Sequence, residues 1–196
     1  GNNNIAESIL GQLRREPQPE PTWVVCGAGT GGTSATIGRY LRYRRLETRL
    51  CVAEPTGSGF VHGWRNRDRS AVASQPTLIE GIGRPRVEPG FIFDVVDAVA
   101  EVDDAASIAA ALQLEDLLGT RYGGSSGTNF VACLQLASQM RARGERGSLV
   151  TLLCDRGKRY QQTLFDADWR SAHGLVIAPW QQAIAAALRA GTLTPP

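Results

Sequence analysis

Two glycine-dense segments hold the residues most capable of chemistry. Gly27-Ala28-Gly29-Thr30-Gly31-Gly32-Thr33 follows the apolar run Trp23 to Cys26 and precedes Ile37, Tyr40 and Leu41 at helical spacing. Strand, glycine turn and helix in that order leave backbone N–H groups at the positive end of a helix dipole, a place that suits a phosphate. Each bond from such an amide to a charged oxygen contributes about 1.5–3 kcal/mol, so four or five of them hold a phosphate without a lysine. Read through Gly27, Gly29 and Gly32, the loop also matches GxGxxG. Glu54, 22 residues past Gly32, then stands where a ribose-binding acid belongs, making an NAD-type nucleotide-binding domain an alternative. A P-loop is excluded, since no lysine follows the glycines.

The second segment, Gly123-Gly124-Ser125-Ser126-Gly127, matches the GxSxG nucleophile elbow, and Asp155 and His173 follow in hydrolase order. Little sheet-forming sequence remains beyond it and His173 sits in a tail, so a helix N-terminus with a serine cap is the plainer expectation. Asp103 and Asp104 read as helix caps rather than as paired catalytic acids. Arg65, Arg67 and Arg69, beside Trp64, read as a solvated loop cluster. His62 and His173 show no ligand spacing to each other or to cysteine, and no metal site is expected. None of the four cysteines makes a CxxC pair. Cys26, Cys51 and Cys133 read as core, and Cys154, at the C-terminal end of a strand, as the thiol that faces a ligand. A reducing, cytoplasmic setting follows as the expectation.

The elements that must position these residues alternate between strand and helix. Ile5, Ile9, Leu10 and Leu13 mark a first helix, stopped by Pro17, Pro19 and Pro21. Residues 22 to 54 read as a βαβ unit, whose crossover implies a parallel sheet and an α/β fold. From Pro55 to Gly90 no periodicity is sustained, and a structureless, functional or partner-facing loop is expected. Further on come a strand at Asp97 to Val102, a helix through Leu118 closed by Gly119, and a short strand at Thr120 to Tyr122. A helix carrying Phe130, Leu134, Leu136 and Met140 and a strand at Leu149 to Leu153 complete the pattern. Residues 1–175 form the α/β domain, and residues 176–196 a helical tail with its helix at Pro179 to Arg189. With 19 acids against 21 bases and a formal charge of +2, the field that nucleic-acid binders use is missing, and no apolar run is long enough for a membrane span. Of the bases 20 are arginine; Lys158 is the one lysine. The start at Gly1 without methionine or leader reads as a processed or trimmed piece.

Four motifs in order, Gly29-Thr30-Gly31-Gly32-Thr33, Glu80-Gly81-Ile82-Gly83, Gly124-Ser125-Ser126-Gly127 and Asp155-Arg156-Gly157-Lys158-Arg159-Tyr160, resemble the pyridoxal-phosphate (PLP) enzymes of the cysteine synthase and cystathionine β-synthase family. GNNNIAES at 1–8 and IEGIGRPRVEP at 79–89 resemble its cysteine desulfhydrase branch most. The resemblance implies a three-layer αβα fold of the tryptophan synthase β type (fold type II). It also implies β-elimination or β-replacement on L-cysteine or an O-activated serine, with PLP as cofactor and a dimeric assembly. Gly29, Thr30, Gly31, Gly32 and Thr33 would hold the cofactor phosphate, and Gly81, Ile82 and Gly83 would lie beside the ring. Asp155 and Arg156 would face the pyridine nitrogen, and Ser125 and Ser126 the substrate. The family's Schiff-base lysine belongs to an N-terminal segment that this sequence does not show, and Lys158 does not substitute for it. No catalytic residue is therefore expected in this chain, and the N-terminal half is expected on another segment. Arg156, a donor only, would leave the pyridine nitrogen unprotonated and weaken the electron sink, unless Asp155 turns inward and protonates the ring; with the missing lysine, this makes a catalytically silent subunit or scaffold the second reading.

Overall fold

Short apolar strands without sustained polar alternation need cover on both faces, and they receive it here. In the computed structural model, which describes residues 4–196, β1 (Trp23–Gly27) pairs in parallel with β2 (Arg49–Pro55) and with β4 (Leu149–Thr151). β2 pairs in parallel with β3 (Ala98–Val102), which gives the order β3-β2-β1-β4. Residues 1–3 of the GNNNIAES motif lie outside the described residues.

The period-two alternation of a strand sorts side chains to opposite faces. Val24, Cys26, Leu50 and Val52 join one core with Ala6 and Ile9 of α1 (Asn4–Leu13) and with Ile37, Tyr40 and Leu41 of α2 (Gly32–Arg44). Trp23, Val25, Cys51 and Ala53 join a second core with α4 (Asp104–Leu118), α5 (Gly124–Ala142) and α7 (Ala178–Ala190). The fold is a three-layer αβα sandwich, as the resemblance implied. Ala106, Ala109, Ala110 and Ala111 of α4 are fully buried, and such small side chains let α5 approach closely. Ile184 of α7, fully buried, packs the last helix onto the same face.

Three expectations are corrected. The stretch from Pro55 to Gly90 contains α3 (Gly59–Asn66), capped by Ser58, whose hydroxyl accepts from the Phe60 N–H at 3.1 Å. Eight residues that include two glycines are too few to show a helical period, yet Phe60 is fully buried and stacks on Phe91 with ring centroids 4.4 Å apart. Thr120 to Tyr122 is not a strand: Tyr122 makes only an isolated antiparallel bridge with Arg156. Asp103 takes the N-cap position of α4, its carbonyl accepting from the Ser107 N–H at 2.9 Å, but neither aspartate side chain bonds to the helix's own amides. Asp103 accepts from the Thr56 hydroxyl (2.9 Å), and Asp104 from the Thr77 hydroxyl (2.7 Å) and the Leu78 N–H (2.6 Å), so the pair anchors the segment before and after α3.

From β1 the chain steps to β2 and β3 on one side, then crosses back to lay β4 on the other side of β1. Between β1 and β4 the winding reverses, and in open α/β sheets the crevice at the carboxyl ends of strands beside such a point is where ligands bind.

Candidate functional site

β1 ends at Gly27 and α2 begins at Gly32, so Ala28 to Gly31 form the turn at that crevice. Gly31 has φ +83°, and a Cβ there would stand 2.5 Å from the Phe91 backbone. Only glycine fits both conditions. A Cβ on Gly29 would stand 2.6 Å from the Gly81 carbonyl oxygen, so the loop lies directly against the 81–83 turn.

The loop's carbonyls are occupied. Gly29 O accepts from Arg84 Nε at 3.0 Å, and Gly31 O accepts from the Ala35 N–H at 2.9 Å and the Ser34 hydroxyl at 3.0 Å. Because Ala35 makes the first bond of the helical ladder, the amides of Gly32, Thr33 and Ser34 have no intrahelical acceptor. Thr30, Gly32 and Thr33 are exposed, and Gly31 offers no side-chain cap. Carbonyls turned inward onto donors and amides left open at a helix N-terminus form a cradle for an anion.

Glu54, at the end of β2, is fully buried. Its Oε1 accepts from the Ala28 N–H (2.9 Å); its Oε2 accepts from the Ser58 hydroxyl (2.7 Å) and the Gly83 N–H (3.3 Å). Burial pushes its pKa from 4.5 up to about 7, and the three donors pull the other way. A carboxylate enclosed among its own protein's donors cannot reach a ribose, so the structure overturns the NAD-type alternative.

Beside the loop opens a cleft of about 460 Å³, walled by Gly29, Gly81 and Ile82 on one side and by Ser125, Cys154 and Asp155 on the other. Glu80 and Arg159, 2.9 Å apart, bridge its two walls. The first turn of α5 and the 154–160 segment are locked together: Gly123 N–H donates to Asp155 O (2.9 Å), and Gly157 N–H to Arg121 O (2.8 Å). Asp155 accepts from the Tyr160 hydroxyl at 2.6 Å; burial first, and that bond second, push the Tyr160 pKa up.

Several expected site residues stand elsewhere. Ser126 is buried and its hydroxyl accepts from the Cys154 N–H (2.9 Å), so it shapes the cleft wall and does not face a substrate; nor does either serine cap α5. Arg156 is exposed, its guanidinium 5.3 Å from the centre of the Tyr122 ring and outside the cleft lining, because the Tyr122 bridge turns it outward. Lys158 is exposed and also outside it. The hydrolase triad is not assembled: Asp155 is engaged by Tyr160, while His173 stacks on Trp169 and its Nδ1 lies 2.8 Å from the Trp169 carbonyl oxygen. Arg65 and Arg67 pair with Glu101 and Asp94, and Arg69 donates to the carbonyls of Glu88, Pro89 and Phe91, so the arginine cluster is structural rather than simply solvated. Among the described residues no group of three or more His, Cys, Asp or Glu could hold a metal ion. Cys26, Cys51 and Cys133 have their thiol pKa values pushed up by burial, to about 12 for the latter two, while Cys154 is exposed at the cleft. Sequence reasoning missed the structural use of Glu54 and the part of Arg84; the signals were an acid at a strand end and an arginine directly after the GIG turn.

Comparison with known proteins gives one answer. Residues 1–155 match the family described as pyridoxal-phosphate dependent enzyme. L-cysteine desulfhydrase Cds1 of Mycobacterium tuberculosis is 54% identical over 175 residues, covering 89% of this chain and 48% of that protein. Cysteine synthase 2 of Schizosaccharomyces pombe is 31% identical over 168 residues, covering 78% and 40%. A hydrogen sulfide-producing enzyme of Fusobacterium nucleatum superposes with a TM-score of 0.69 at 28% identity, covering 83% of this chain and 45% of that one. The chain therefore spans about half the length of the relatives it matches.

Proposed function

This chain belongs to the pyridoxal-phosphate dependent enzymes, and we propose that it forms the cofactor-phosphate-binding part of an enzyme that eliminates or replaces the β-substituent of L-cysteine or an O-activated serine. The observation that carries the reading is the anion loop: amides without intrahelical acceptors at Gly32, Thr33 and Ser34, of which Gly32 and Thr33 lie at the exposed surface, carbonyls pinned behind them, and a cleft beside it. The donor set fits a phosphate monoester, since every group offered is an uncharged N–H or hydroxyl at a helix N-terminus.

Bound there, pyridoxal phosphate supplies the electron sink that makes a substrate Cα proton removable. The amides of residues 30–34 would hold the phosphate, with the Thr30 and Thr33 hydroxyls at hand. Gly81 and Ile82 would wall one side of the ring and Ser125 the other, excluding water. Asp155, held as an acceptor by Tyr160, lines the cleft with Cys154 and would face the pyridine nitrogen that Arg156 does not reach. Lys158 lies outside the cleft, so the reading assigns no catalytic amine to this chain. Arg156 points outward, which removes one of the two grounds for a silent scaffold; the other, the Schiff-base lysine that this chain does not show, is what turnover in the full-length protein tests. A reducing, cytoplasmic location belongs to the same proposal, supported by four free cysteines of which two are fully enclosed in the core; so does a dimeric assembly, which sedimentation checks.

The test pairs binding with turnover in the full-length protein. Pyridoxal phosphate is expected to bind about a hundredfold or more tighter than pyridoxal, the contribution of several amide bonds to the phosphate. L-cysteine is expected to yield sulfide. Equal affinities would remove the anion-loop reading, and absence of both sulfide release and β-replacement in a protein that holds the cofactor would remove the activity.

A further inference from the structure

A buried carboxylate that contacts no ligand is costly to retain, and Glu54 is such a group. The three donors it gathers come from three separate segments: Ala28 from the start of the anion loop, Ser58 from the cap of α3, and Gly83 from the end of the GIG turn. Gly29 and Gly81 touch through backbone alone, with no room for a Cβ between them, and Arg84, the residue after Gly83, reaches back to Gly29 O.

We propose that Glu54 is a positioning residue that couples the anion loop to the 81–83 turn, so that filling the loop fixes the wall against which ring and substrate would lie. This inference rests on the anion-loop reading given above. The carboxylate suits the task where its amide would not. A glutamine that keeps its Oε1 on the Ala28 N–H and meets the Ser58 hydroxyl through its amide group would place that NH2 against the Gly83 N–H, donor facing donor. A purely structural residue here would be cheaper as glutamine, which buries no charge. The pair of acceptor oxygens is the feature that draws two backbone donors from different turns to one point.

The experiment is residue-resolved amide exchange on the full-length protein, with inorganic sulfate as the probe because it does not titrate near neutral pH. In the wild type, saturating sulfate is expected to protect the loop amides and, with them, the amides of Gly81 to Gly83. In Glu54→Gln, loop protection persists, whereas the turn is no longer protected by sulfate and the Gly83 amide exchanges about tenfold faster even without it, one charge-assisted bond lost. The melting temperature of the variant at pH 8 is expected at or above that of the wild type, an outcome that a merely structural glutamate would not give. Wild-type protection confined to residues 28–34 overturns the coupling without any variant having to fold, as does a slow Gly83 amide in Glu54→Gln. If neither sulfate nor pyridoxal phosphate protects the wild-type loop, the anion-loop reading fails; the ligand-free comparison at Gly83 then decides by itself whether the tie exists.

Discussion

Glu54 links the site to stability in a way that can be measured. In the folded protein burial holds its pKa at about 7, against 4.5 for an unperturbed glutamate. Between those values the folded state keeps a proton that the unfolded chain has released, so raising the pH favours unfolding. The groups that face the carboxyl are the Ala28 and Gly83 amides, the Ser58 hydroxyl and, on β1, the Cys26 thiol, which burial keeps protonated throughout. Glu54 is thus the group in this cluster that titrates between pH 5 and 8. The gap is worth about 3 kcal/mol in full, and that window samples most of it. Glu54→Gln has nothing to titrate, so its stability relative to wild type is expected to rise by about 2–3 kcal/mol from pH 5 to pH 8. For a domain of this size that is about 5–10 °C in the difference between the two melting temperatures. Urea unfolding of both proteins at the two pH values reads it directly, and contributions from other groups cancel in the difference. A gap that stays constant across the window, or closes as the pH rises, would refute a protonated Glu54 near neutrality.

Three further outcomes follow from the site. Gly31→Ala places a Cβ 2.5 Å from the Phe91 backbone at φ +83°, and is expected to weaken pyridoxal phosphate binding by about tenfold or more while leaving pyridoxal little changed, read by equilibrium titration of both. Iodoacetamide is expected to modify Cys154 well before Cys26 and Cys51, and bound pyridoxal phosphate to slow that modification; peptide mass analysis showing no protection would place the ligand outside the cleft. A fluorophosphonate probe is expected to leave Ser125 unlabelled, since Asp155 and His173 are engaged elsewhere, and labelling would reopen the hydrolase reading.

The layered architecture was legible because it rests on local rules. Short apolar runs at 23–26 and 50–53, glycine at the strand-to-helix turn, and prolines after the first helix each act within a few residues. The anion loop was legible for the same reason: glycine density between a strand and a helix has few other uses. What stayed hidden depends on partners distant in sequence. Nothing near Asp104 shows that it grips Thr77 and Leu78 rather than capping its own helix, and nothing near Ser126 shows that its hydroxyl holds the Cys154 amide. Arg156 failed as a ring-facing residue for a related reason. Motif order fixed its place in the chain, while the bridge to Tyr122 fixed its direction. α3 escaped because its glycines blur the period by which helices are recognised.

The local rules are broken most densely around one point, and that concentration is informative. Gly31 carries a left-handed backbone pressed against Phe91, Glu54 a buried carboxyl, and the first turn of α2 three amides without intrahelical partners. Each costs folding stability, and none improves the packing of either core. Proteins tolerate such costs where function needs a fixed geometry. Here the three lie together at the carboxyl ends of β1 and β2, beside the reversal of the sheet, and the unsatisfied groups of the loop itself are donors. A surface built for a cation or for an apolar ligand would leave acceptors or carbon exposed instead. Donors held open by strained glycine and backed by a buried acid describe a place prepared for an anion that the folded chain alone does not supply.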